Sequence, residues 1–253
     1  MLQSTKDLHG YTIHATNGDL GTVRTLYFDD EGGCIHYLVV DTGGWFSGKH
    51  VLLPAEVLGQ PDSENQRLAV ALTQEEVRQS PEVPKHMSAS AYDETGMSTH
   101  AGRNIYWSTD PFVLQSVAMR PASVPVPAAP PETPPSPATM QGRGAPLRST
   151  RDVLGYYIQA KDGQIGHVED FLIDPEIWHI RYMVIDTRNW LPGRKVLVSL
   201  QWIQQIRWDD MQVVVELTRD RIKNSPEYDA TKPLDRAYER QLFDFYGQPH
   251  YWD

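Results

Sequence analysis

The chain has 253 residues, with 33 acidic against 23 basic side chains, a formal net charge of −10 and 40% hydrophobic residues. That balance repels phosphate backbones and anionic lipid surfaces, and the closest basic groups, Arg194-Lys195 and Arg219, Arg221, Lys223, form no stripe, so nucleic acid is not an expected partner. No apolar run is long enough for a membrane-spanning helix, the opening MLQSTKDLHG lacks a signal-peptide pattern, and the single cysteine, Cys34, leaves no internal disulfide and fits a reducing cytoplasm.

In chain order, the first unit opens with a short alternating strand, YTIHA, followed by Asn17-Gly18, a dipeptide that favours tight hairpins because both positions tolerate positive φ. The return strand is LGTVRTLYFD. A turn at Asp29-Asp30-Glu31-Gly32-Gly33 leads into CIHYLVVD, which is apolar on both faces near its end, as central strands are. A Gly-flanked loop carrying Trp45 and Phe46 follows, then the strand KHVLLP, a short irregular piece, and RLAVAL. TQEEVRQSPE reads as a helix with Thr73 as N-cap and Ser-Pro as its stop.

The whole series then recurs. Displaced by 145 positions, the sequence matches itself without a gap: Gly10-Tyr11 falls on Gly155-Tyr156, Gly18 and Gly21 on Gly163 and Gly166, Asp41-Thr42 on Asp186-Thr187, and Trp45 on Trp190. Ser80-Pro81-Glu82 meets Ser225-Pro226-Glu227, and Tyr106-Trp107 meets Tyr251-Trp252. Internal repetition on this scale means one fold written twice. Between the copies lies RPASVPVPAAPPETPPSPATMQGRGAPLRST, which has almost no core-forming residues and reads as an extended spacer; its PPETPP could also dock in a proline-binding groove. The expected organisation is a first domain at 1–110, a Pro/Ala-rich linker at 111–149 and a second domain at 150–253. The second domain ends in a helix, DRAYERQLFDFYG, whose Tyr238, Leu242 and Phe245 would face its barrel.

Five or six short strands per unit, joined by tight turns, predict an all-β protein with minor helices: two small barrels in tandem, each with a short C-terminal helix. The Gly-x-x-Gly hairpins, the I-x-Y-x-V-V/I-D strands and the V-L-L/V strands resemble the PRC-barrel family over residues 7–83 and 152–228. The family takes its name from the cytoplasmic domain of the photosynthetic reaction-centre H subunit and includes the barrels of ribosome maturation factors. The resemblance implies a binding and assembly module. It also implies two alternatives: an accessory part of a photosynthetic or electron-transport complex, and a ribosome- or RNA-associated assembly factor.

Chemistry is sparsely written. Cys34 and His36 share a strand face, but their equivalents are His179 and Arg181, so no metal site common to both units is expected. His36 could activate Cys34 as a nucleophile; a half-buried inert thiol is the plainer reading. The acid pairs Asp29-Asp30, Glu169-Asp170 and Asp209-Asp210 read as turn residues. Asp41 could pair with Lys49 and Asp186 with Arg194, or each aspartate could accept loop amides. GDLGTV lacks the spacing of a phosphate-binding glycine loop. No catalytic, cofactor or metal residues are therefore expected. The candidate partner-binding residues are Trp45, Phe46, Trp190 and Leu191 in the loops, with Tyr251 and Trp252 at the end, because aromatic anchors dominate interfaces. The expected partner is a protein, with pairing between the two barrels or between copies of the chain as further options.

Overall fold

The fold is taken from a computed structural model that describes residues 2–30, 32–43, 48–83, 147–187, 194–232 and 234–252. The first repeat contains β2 (Thr12–Ala15), β3 (Gly18–Asp29), β4 (Ile35–Asp41), β5 (His50–Pro54), β6 (Leu58–Asp62), β7 (Arg67–Val70) and β8 (Glu82–Val83), preceded by the two-residue β1 (Gln3–Ser4). The second contains β9 (Leu147–Ser149), β10 (Tyr157–Ala160), β11 (Gly163–Asp174), β12 (His179–Asp186), β13 (Lys195–Ser199), β14 (Ile203–Arg207) and β15 (Gln212–Val215). Strand order is β6-β7-β2-β3-β4-β5 in the first sheet and β14-β15-β10-β11-β12-β13 in the second. All pairs on these paths are antiparallel except β2/β7 and β10/β15, which are parallel. Even the bulges coincide: register slips between Val23 and Thr25 in one copy and between Val168 and Asp170 in the other.

The cores match position by position. Tyr11, Ile13, Val23, Ile35, Val40, Val51 and Leu68 are buried, and so are Tyr156, Ile158, Val168, Ile180, Ile185, Val196 and Val213. Where residues differ, volume is kept: Leu26 and Phe28 correspond to Phe171 and Ile173, one aromatic and one aliphatic in each copy.

The two sheets exchange strands. β3 and β11 have 12 residues each, and β2 and β10 pair only with their first halves. The second halves would expose unpaired backbone groups. β9, from the second repeat, covers that edge of β3, with Tyr27 opposite Ser149 and Phe28 opposite Arg148. β1, from the first repeat, covers the same edge of β11, with Ser4 opposite Leu172 and Gln3 opposite Ile173. Cys34 and His179, themselves equivalent, bridge each other, with Ile35 N–H donating to the Trp178 carbonyl at 2.9 Å and Ile180 N–H to the Gly33 carbonyl at 2.8 Å. These contacts place a pseudo-twofold axis between the repeats. Phe28 and Phe171 meet across it with ring centroids 5.7 Å apart. Buried residues of both repeats belong to one hydrophobic cluster.

Several sequence expectations change. Leu147–Ser149 falls inside the segment read as linker, yet it is a strand, because its backbone completes the edge of β3. Residues 111–146 of that segment, and Tyr106 and Trp107, lie outside the described residues. The piece read as irregular after β5 is a 3-10 turn, Ala55–Val57, followed by β6. Pro61 and polar neighbours hide β6 from pattern reading, and among the described residues it pairs only with β7, the edge position that tolerates proline. The hairpin loop is Thr16-Asn17, since Ala15 already pairs with Gly18, which takes φ +140°. Asn17 therefore serves elsewhere: its Oδ1 accepts the Gln74 amide of the helix Gln74–Gln79 at 2.8 Å, as Asp162 accepts Arg219 N–H at 2.7 Å. Thr73 caps that helix in a full capping box with Glu76, and Thr218 caps Arg219–Lys223. Among the described residues, no helix is long and apolar enough to cross a membrane.

Candidate functional site: clamped loop necks and an aromatic face

The phrase shared by the repeats, an apolar strand ending in Asp-Thr, builds the neck of the Trp loop. In the first repeat Thr42 donates both N–H (3.0 Å) and Oγ1 (3.1 Å) to the Lys49 carbonyl. In the second, Thr187 donates the same pair to Arg194, at 3.0 and 2.9 Å. Gly21 and Gly166, with φ of +70° and +61°, press against the carbonyls of Asp41 and Asp186, where any Cβ would collide. The glycine pairs noted in the sequence are therefore explained by packing under the neck. Asp41 accepts the Gly43 amide at 3.0 Å, and its carboxylate stands 3.5 Å from His50. Lys49 instead pairs with Glu82 at 3.2 Å, and Arg194 donates to the Ser225 carbonyl at 2.6 Å, which corrects the ion pairs considered from sequence. Trp45, Phe46, Trp190 and Leu191, which the necks carry, lie outside the described residues.

Tyr251 and Trp252 are described, and they pack on their own repeat. The helix Arg236–Tyr246 starts at an Asp235 cap and stops at Gly247 in the left-handed region. Its buried face is Glu239, Leu242, Phe243 and Tyr246, one step round from the Tyr238, Leu242 and Phe245 stripe expected, because Trp202 takes Phe243 and Tyr246 at centroid distances of 5.2 and 4.6 Å. The buried Glu239 carboxylate accepts from Tyr182 Oη (2.7 Å), Tyr251 Oη (2.7 Å) and Arg236 (2.8 Å). Burial, then the bond to Glu239, raises the Tyr182 and Tyr251 hydroxyls above the ordinary tyrosine range, so both stay protonated and donate. Arg181 lies over the Tyr251 ring at 4.4 Å, and Arg236 over Trp252 at 4.5 Å. The sequence reading missed Glu239; a lone acid on an aromatic helix face was the available signal.

Cys34 and His36 do share a face, and their ligand atoms lie within 4.8 Å of Asp29. The Asp29 carboxylate already accepts from the amides of Gly32, Gly33 and Cys34 and contacts His36 Nε2 at 3.1 Å. Arg181 binds Asp174 at 3.1 Å in the equivalent place, so His36–Asp29 is the first repeat's version of that pair. Burial raises the Cys34 thiol, with the Asp29 and Glu56 charges adding to it; this opposes thiolate formation rather than promoting it.

Residues 4–77 match the PRC-barrel domain. An uncharacterised protein of Deinococcus radiodurans is 37% identical over 82 residues, covering 32% of this chain and 27% of that protein. The aligned part is thus about a quarter of the relative's length. With the strand order and the match together, the first repeat of this chain is a PRC-barrel domain.

Proposed function

We propose that the chain is a non-catalytic, cytoplasmic binding and assembly protein, in which tandem PRC-barrel repeats present two Trp-bearing loops to a protein partner. The observation that carries this reading is the matched pair of clamps, Thr42 to Lys49 and Thr187 to Arg194, which hold the loop ends in the same way in both repeats. A rigid neck under a loop containing an aromatic residue is how a scaffold offers a preorganised anchor. The terminal Tyr251 and Trp252 are half-exposed on the second repeat and are a second candidate contact for the partner.

The test is affinity capture from the native host with mass spectrometry, comparing the full chain with a Trp45→Ala/Trp190→Ala variant. The expected result is a partner recovered by the wild type and lost by a variant whose Tm is unchanged. A stability loss near the roughly 3–5 kcal/mol of buried Trp truncations would instead make both rings core residues and remove the proposal. A second reading, drawn from the PRC-barrel match, is docking to a membrane-embedded electron-transport complex; co-sedimentation with host membranes separates it from the first.

A further inference from the structure

The exchange of β1 and β9 puts two equivalent junctions on the molecule, and their chemistry has diverged. At the junction on β11, the incoming segment Ser4-Thr5-Lys6 meets Glu169-Asp170. Lys6 pairs with Glu169 at 3.1 Å, and Asp170 accepts from Ser4 Oγ, from Thr5 Oγ1 at 2.8 Å and from the Lys6 amide at 3.2 Å. At the junction on β3, the incoming segment is Ser149-Thr150-Arg151, and Arg24-Thr25 stand where the two acids stood. Thr25 Oγ1 meets Ser149 Oγ at 2.9 Å and Thr150 Oγ1 at 3.3 Å, a hydroxyl cluster in place of a carboxylate. Arg151 replaces Lys6 and Arg24 replaces Glu169, so a cation–anion pair has become two cations.

Arg24 and Arg151 line one pocket of about 260 Å³, together with Lys6 and His9. Among the described residues, no acidic side chain lines it. Among the described residues, neither arginine has a carboxylate partner, and Lys6 shares its charge with Glu169. The buried Val23 and Leu26, with Leu154, supply an apolar wall. Two arginines lining one pocket, in a chain with net charge −10, leave a local deficit of negative charge that the other junction fills with its own Glu169 and Asp170.

We infer that the junction between β3 and the segment Ser149–Arg151 is a binding site for a phosphate-class oxyanion, held by Arg24 and Arg151. Guanidinium forks match the oxygens of a phosphate group, and the pocket's apolar wall leaves space for a small organic body on it.

The test is thermal unfolding and calorimetric titration of the full chain with inorganic phosphate and, separately, phenyl phosphate, against sodium chloride at matched ionic strength. The expected result is a saturable rise in Tm with phosphate, and affinity about tenfold weaker or worse in Arg24→Gln and in Arg151→Gln, since each variant removes charge-assisted hydrogen bonds. Arg151 is exposed, so its variant stays informative if Arg24→Gln folds poorly. Arg24→Glu copies the β11 junction; it should raise Tm in phosphate-free buffer and abolish the phosphate response. Tighter binding of phenyl phosphate than of phosphate assigns the site to a phosphate carried on an organic body, and equal binding to the free anion. A non-saturating rise that is the same size in the Gln variants is the general effect of excluded anions and overturns the inference.

Discussion

Glu169 shows how much one side chain contributes to holding the repeats together. It sits on β11, pairs with Lys195 of its own repeat at 3.0 Å and reaches Lys6 of the other at 3.1 Å. Burial pushes its carboxyl up, but hydrogen bonds from Lys195 and Lys6 more than offset that, and it lies at about 2 against an ordinary 4.5. Because the folded value is depressed, the stabilisation is fully present above about pH 4.5 and is lost as pH falls toward about 2. The expected outcome is a steeper loss of stability across that window for the wild type than for Glu169→Gln. Denaturant midpoints measured between pH 2 and pH 6 check it; parallel curves would refute the assignment.

At the scale of elements, the organising feature is the mismatch between long and short strands. A 12-residue β3 or β11 paired to a four-residue β2 or β10 leaves an edge that only another segment can fill. β1 is anchored there chiefly by Asp170, which accepts two hydroxyls and one amide from Ser4, Thr5 and Lys6. Replacing Asp170 by Ala leaves those donors without their acceptor, at a cost of about 1–3 kcal/mol. Hydrogen exchange should then lose protection at residues 3–8 while β12 and β13 keep theirs. Unchanged protection at residues 3–8 would mean that the two-residue ladder alone holds the segment.

At the scale of the whole molecule, the two repeats belong to one compact unit. Reciprocal strand exchange, the Cys34–His179 bridge and a single hydrophobic cluster join them. The two junctions are asymmetric in detail. Ser63 hydrogen-bonds Gln3 at 3.1 Å, whereas in the equivalent place Trp208 stacks under Arg148 at 3.9 Å, backed by an Arg148–Asp30 ion pair at 3.3 Å. Gly33, which abuts Leu200, corresponds to Trp178, and Leu200 to Ala55. Pairing two copies of the same repeat would put Trp178 near Leu200 and Gly33 near Ala55, overfilling one axis and underfilling the other. A protease site inserted between residues 111 and 140 should therefore give fragments that co-elute as one 1:1 species on size exclusion. Separation into two monomers, or into two homodimers, would refute this.

Much of this was readable from residues alone. The displacement of 145 positions, the hairpins, the capped helices and the paired cores follow from local pattern, since backbone propensity and alternation act over a few residues. The Gly21 and Asp41 pattern announced a shared feature without revealing its purpose, the packing of a glycine under a clamped loop neck. β1, β6, β9 and β14 escaped notice because short edge strands carry little pattern and owe their form to a partner. Local sequence thus determined two barrels of one design. Only tertiary structure decided that each lends a strand to the other, and that one junction pairs Lys6 with Glu169 while the other leaves Arg24 and Arg151 on a single pocket, because these contacts join residues more than a hundred positions apart.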